Sequence, residues 1–272
     1  MPYEPVALEV QMKIWLPCYE CTKKTGADNP RNSYRVDIVE NRRVEFTCTE
    51  GHKNKYNVQG AKYQILFESS FRALVEGFYL EAVLGFTASL ERFYEFYCKF
   101  VCHKHGFDKD GFSDTWKQVL SQSERQYGAF LFLYGIEEKK PFDPKKYKMD
   151  KLKKFRNKII HKGYLPTEKE VIEYGDLIFN LIMPVSVELA VKDAEYFHRF
   201  SGIELLNDIK KSKAEGNVPS TGITSILAVT YDPVRGLEKN FKKEIKKAKS
   251  NLLAVMQYNF IAEKLRIERE NT

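Results

Sequence analysis

Several features of exported or membrane-spanning chains are missing from this 272-residue sequence. No N-terminal segment pairs a basic start with an apolar run and a small-residue cleavage site, so no signal peptide is expected. The longest apolar stretch, Leu177 to Val191, falls short of the ~20 residues a bilayer demands, and Asn180, Pro184 and Glu188 interrupt it. Cysteines number five, an odd count. Without a secretion signal, this argues for a reducing cytosol, with thiols or metal rather than disulfides. The segment "DKDG", Asp108 to Gly111, lacks most of the calcium-loop ligand pattern. Internal repeats are absent too. The expectation is a cytoplasmic protein with no membrane partner.

What remains is rich enough to fold. Hydrophobic residues make up 43%, aromatic ones 14% and charged ones 30%, over a length sufficient for one large domain or two smaller ones. Positive charge is unevenly spread. Ten lysines and one arginine against two aspartates lie between Lys139 and Lys162, a local surplus larger than the +7 of the whole chain. Such concentration is the footprint of a phosphate-rich partner or, more plainly, of a solvated lysine-rich loop.

Residues 1–61 read as strand-like. "YRVDIVE" and "RVEFTC" carry β-branched and aromatic residues around the turn-forming "ENR", which predicts a hairpin. From Lys62 the period changes. "ESSFRALVEGFYLEAVLGFTASLERFYEFYCKFVCHKHG" repeats apolar residues every three or four positions, the pattern of one long helix or two abutting ones. "SDTWKQVLSQSERQYGAFLFLYGIEE" predicts one or two more. Asp150 is placed to cap a helix through "KLKKFRNKIIHK", and Gly163 to end it. "TEKE", from Thr167, is a capping box opening the next helix, which Pro184 should kink. After the turn-rich "KKSKAEGNVPSTG", "ITSILAVTY" reads as a strand. The basic "LEKNFKKEIKKAKSNLLAVMQYNFIAEKLR" reads as an amphipathic helix with Phe241, Ile245 and Ala248 on its apolar face. The predicted organisation is mainly α, α+β overall, with a small β domain at 1–61, a helical bundle at 62–200 and a C-terminal extension at 201–272.

Cys18 and Cys21 form C-x2-C, and Cys48 and His52 form C-x3-H, one pair on either side of the predicted hairpin. Four soft or borderline ligands on two short knuckles suit tetrahedral Zn²⁺, and four protein ligands leave no open position, so the site reads as structural. Buried free thiols with a surface histidine are the alternative. Cys98 and Cys102, a helical turn apart beside His103 and His105, read as core.

"KKFRNKIIHKGYLPTEKE" sets Arg156 and His161 five positions apart just before a helix break. A helix end in water would explain His161, since its partial positive charge favours the last turn. It leaves unexplained why polar Asn157 shares a face with His161 among Phe155, Ile159 and Ile160. Arg156 lies about 140° around the helix from His161, within reach only through its long stem.

"RNKIIH" matches the R-x4–6-H motif of the HEPN superfamily, in the form with Asn directly after Arg. With the upstream "FYLEAVLGFTASLERFYEFY", the chain resembles HEPN proteins from about Ser69 to Phe200, specifically those with an N-terminal zinc-ribbon-like segment. The resemblance implies a HEPN-like helical bundle after a β zinc ribbon, and a metal-independent RNA endonuclease acting as a toxin, antiphage defence or RNA-processing effector. His161 and Arg156 would be the catalytic pair and Asn157 its polar helper. Glu91 would be the accompanying acid, with Glu95 the second choice. The expected partners are single-stranded RNA or tRNA, a second copy in a homodimer, and a cognate antitoxin or regulatory protein. Lys151, Lys153, Lys154, Lys158 and Lys162 would line the RNA path. The rival expectation is a non-catalytic HEPN-like module that binds RNA or protein as an adaptor or antitoxin-side partner.

Overall fold

The structure is a computed structural model, and it describes residues 12–26, 32–38, 43–211, 220–222, 225–228 and 239–252. The chain divides into two compact units, one made of residues 1–59 and 205–223, the other of residues 60–204 and 224–272.

The first unit is a pair of small sheets. Strand β1 (Met12–Pro17) pairs antiparallel with β2 (Ser33–Ile38), placing Ile14 opposite Val36 and Leu16 opposite Tyr34. A seven-residue helix, α1 (Tyr19–Thr25), lies between them in sequence. In the second sheet β3 (Arg43–Thr47) pairs antiparallel with β4 (Lys53–Gln59), and β5 (Ser220–Gly222) joins β4 in parallel. Burial follows the two-residue period of a half-buried strand: Val36 and Ile38 point inward, Arg35 and Asp37 outward.

β2 and β3 fall where their composition predicts, but their pairing does not, and β5 lies at the end of "KKSKAEGNVPSTG", the segment read as a turn-rich break. Among the described residues, β2 and β3 belong to different sheets and are not paired with each other. The chain bends at Cys18–Cys21, where β1 gives way to α1, and at Cys48–His52, between β3 and β4. The "ENR" turn, residues 40–42, lies outside the described residues. Helix α1 had no signal in the strand-like reading.

The second unit is helical. The long apolar segment resolves into α2 (Lys62–Glu76) and α3 (Tyr79–Lys104), broken at Gly77. Then follow α4 (Lys109–Lys117), α5 (Ser123–Glu138), α6 (Met149–Lys162), α7 (Glu168–Lys192) and α8 (Ala194–Lys211), the last of which runs on into the first unit's share of the chain. "DKDG" is a cap: the Asp108 carboxylate accepts from the Asp110 and Gly111 N–H groups, both at 2.9 Å. Helix α6 begins earlier than expected. Lys148, in the left-handed region at φ 52°, precedes its first residue, so Asp150 sits in the first turn and complements the helix dipole instead of capping it. Gly163, at φ 62°, ends α6 where an L side chain would be strained, and its N–H returns to the Ile159 carbonyl at 3.1 Å. The capping box at Thr167 forms, with the Glu170 carboxylate 2.9 Å from the Thr167 N–H.

The bundle core is aromatic. Phe67 packs on Phe86 at 4.9 Å between ring centroids, and Phe130 on Tyr94 at 4.9 Å and Tyr97 at 5.0 Å. Cys98 is buried among them, as its setting implied. By length and composition α7 is apolar enough to cross a membrane, but 67% of its most apolar window is buried, and it serves as a central helix of the bundle. Residues 241–252 form a further helix, α9, which docks here. Phe241 and Ile245 are buried, and Phe241 meets Phe67, Phe86 and Phe71 at 5.8–5.9 Å. Gly175 makes room for it: a Cβ there would lie 2.5 Å from the Phe241 ring. The apolar face read at Phe241, Ile245 and Ala248 therefore belongs to the core. Residues 225–228, within the expected strand "ITSILAVTY", form a turn instead, and residues 223–224 and 229–231 lie outside the described residues.

Candidate functional site

The two bends of the first unit converge. The Sγ atoms of Cys18, Cys21 and Cys48 and a ring nitrogen of His52 all lie within 4.8 Å of one another. Cys21 Sγ is 3.8 Å from Cys48 Sγ, and His52 Nδ1 is 3.7, 3.5 and 3.3 Å from the Cys18, Cys21 and Cys48 sulfurs. A tetrahedral ion bonded at ~2.3 Å to sulfur and ~2.0 Å to nitrogen would space sulfurs by about 3.8 Å and S–N pairs by about 3.5 Å. The donors therefore fit a single metal ion.

The surroundings prepare them for one. The His52 N–H donates to Cys48 Sγ at 3.3 Å and the Asn54 amide to Cys18 Sγ at 3.5 Å. Burial would raise the Cys18 thiol, but hydrogen bonds from the Cys21 backbone and the Asn54 amide outweigh it and bring its pKa below the ordinary value. Burial also opposes ionisation of Cys48, where the His52 and Glu50 backbone N–H groups carry it below the ordinary value. Cys21 moves the other way, to about 11, through burial and then through its sulfur neighbours Cys18 and Cys48. Three sulfurs this close resist ionising together unless a cation lies between them.

In the second unit four helices bring a chain of polar groups together. Arg156 on α6 donates from Nη1 to Asn157 Oδ1 at 3.2 Å and from Nη2 to Ser123 Oγ, on α5, at 3.3 Å. The Ser123 hydroxyl in turn donates to Glu91 Oε1, on α3. Tyr174 on α7 lies close enough to feel the charges of both Arg156 and Glu91. Burial, the larger influence, pushes its phenol up to about 12, and its hydroxyl meets Thr87 at 2.8 Å. Arg156 Nε is buried and finds no acceptor among the described residues. Such a donor costs about 1–3 kcal/mol, which a purely structural arginine would ordinarily avoid.

His161 sits in the last turn of α6, exposed, with no hydrogen-bond partner among the described residues. Glu91 is linked to Arg156 through the Ser123 hydroxyl. Glu95, the second choice, is engaged elsewhere by Arg92 at 2.5 Å. Of the five lysines expected on the RNA path, Lys151 pairs with Glu173 at 2.8 Å, Lys153 with Glu124 at 3.4 Å and Lys158 with Glu170 at 3.8 Å, its ammonium lying over the Tyr164 ring. These are surface pairs worth about 0–1 kcal/mol each, so a polyanion could displace them at little cost. Lys154 and Lys162 are exposed.

Sequence reasoning missed Ser123, Tyr174 and Thr87. Their signal is tertiary: each lies on a different helix, and nothing local marks them. Comparison with known families, with curated proteins and with solved structures finds no match for this chain.

Proposed function

We propose that the chain is an RNA endonuclease of HEPN type, acting as a homodimer in the cytoplasm as a toxin or antiphage effector, with a structural zinc ribbon attached. The observation that carries this reading is the held but incompletely satisfied Arg156, five residues before an exposed His161 on one helix.

The chemistry suits these groups. The ribose 2′-oxygen attacks the adjacent phosphorus while the 5′-oxygen leaves, giving a 2′,3′-cyclic phosphate and a free 5′-hydroxyl. An imidazole with an unperturbed pKa near 6.5 can take the 2′ proton, and a second must supply the proton to the leaving oxygen. One histidine cannot do both in one step, so His161 of a second copy is required. Arg156 stabilises the charge gathering on the non-bridging oxygens, as a planar, permanently charged donor does best. Asn157 holds it directly and Glu91 through Ser123, and the lysines of α6 guide the strand. In the ribbon, Cys18, Cys21, Cys48 and His52 would hold Zn²⁺, whose role is to cross-link the two bends.

The test is cleavage of single-stranded RNA or tRNA in EDTA, with end analysis. Cleavage leaving cyclic phosphates should fall by roughly 10²–10⁴ in His161→Ala while RNA binding persists. A requirement for added Mg²⁺, or cleavage unchanged in that variant, would overturn the reading and leave a binding module.

A further inference from the structure

Ser123 is the first residue of α5, one position inside the cap. The residue before the helix is Gln122, whose side chain makes no cap, and the Ser123 hydroxyl turns away from the backbone to α3 and α6. The hydroxyl is committed to a contact between helices.

The chemistry of the link restricts what can stand there. Guanidinium has only donors and an ionised carboxylate only acceptors. At this junction Ser123 Oγ accepts from Arg156 and donates to Glu91, which a hydroxyl does with one atom. Alanine can do neither. The link also fixes direction, because every hydrogen bond from Arg156 through Ser123 runs toward the Glu91 charge. Asn157 holds the other Nη, so the guanidinium plane is pinned at two corners.

We propose that Ser123 is the positioning residue for Arg156: it couples the arginine to the Glu91 charge and sets the plane in which the guanidinium meets a phosphate. Its catalytic consequence rests on the endonuclease reading, but its effect on the guanidinium does not. Freed of Ser123, Arg156 would still reach the strand but in many orientations. The loss would therefore fall on turnover and leave binding nearly intact.

The experiment uses the full-length protein with ¹⁵N-labelled arginine, as wild type, Ser123→Ala and Ser123→Thr. In wild type the Nη protons of Arg156 should give separate, slowly rotating signals. These should merge in Ser123→Ala and return in Ser123→Thr, which keeps the hydroxyl. Kinetics on the same samples should show kcat reduced about 10–100-fold in the alanine variant, with KM within about twofold, and largely restored by threonine. Identical arginine spectra in wild type and Ser123→Ala would overturn the proposal. So would a loss that threonine fails to restore, or one that appears in KM and not in kcat. Should the wild type not cleave RNA at all, the endonuclease reading fails, and the spectra alone still decide whether Ser123 sets the guanidinium.

Discussion

The ribbon unit and the helical unit are held together in opposite ways. The ribbon has a few inward residues per sheet, among them Ile14, Leu16, Val36, Val44 and Val58, and a sulfur cluster with Tyr34 and Phe46 packed against it. The bundle has a continuous aromatic interior and no comparable cluster of metal-binding groups among the described residues. A small sheet buries little apolar surface to offset chain entropy, and an ion held by Cys18, Cys21, Cys48 and His52 would supply the missing cross-links. The bundle depends on shape.

The largest test of that contrast is the metal that the four donors would hold. Binding of structural zinc contributes about 10–16 kcal/mol of apparent folding free energy in small domains. Chelation, or Cys48→Ser, should erase the dispersed NMR signals of β1–β4 while those of α2–α7 persist. Loss of both sets together would mean that the units do not stand apart energetically.

Next in size is a cavity in the bundle. Phe241→Ala removes a ring that touches Phe67, Phe71, Phe86 and Phe179, and should cost about 3–5 kcal/mol in urea unfolding followed by far-UV circular dichroism. The metal content of the folded protein should not change. A cost below about 1 kcal/mol would show that α9 is dispensable to the core.

The smallest effect concerns pH. Hydrogen bonds from the Thr167 backbone and side chain, opposed by a little burial, hold the Glu170 carboxyl below its ordinary pKa, with Tyr164 and Lys158 assisting. A folded pKa below the unfolded one gives stability that is present in full above the ordinary carboxylate range and fades as pH falls through it. Glu170→Gln should flatten the acid side of the bundle's thermal-stability profile by a degree or two at most, since the group is near the surface. An unchanged profile would remove Glu170 from the account.

Much of this architecture was legible in the residues. Repeats of three and four marked α2 and α3, "TEKE" marked the start of α7, Gly163 the end of α6, and the spacings C-x2-C and C-x3-H marked the converging donors. These are local rules, and they held because period, capping and short bends are set by neighbours in sequence. Pairing failed where the answer was non-local. Val36 and Val44 lie in adjacent runs that look like a hairpin, yet each joins a strand on its far side, a choice that neighbours in sequence do not set. The same limit hid Ser123. Arg156, Asn157 and His161 share a motif, but the hydroxyl that links Arg156 to Glu91 arrives from another helix.

One short strand has a consequence for biosynthesis. β5 joins β4 in parallel, with Ser220 beside Asn57, so the third strand of that sheet is encoded some 160 residues after the second. A growing chain on the ribosome must therefore wait for nearly the whole helical segment before β4 is covered on both sides. Until then its exposed edge offers free amide and carbonyl groups to any extended neighbour, so nascent or truncated products ending before residue 220 are the forms most prone to aggregate.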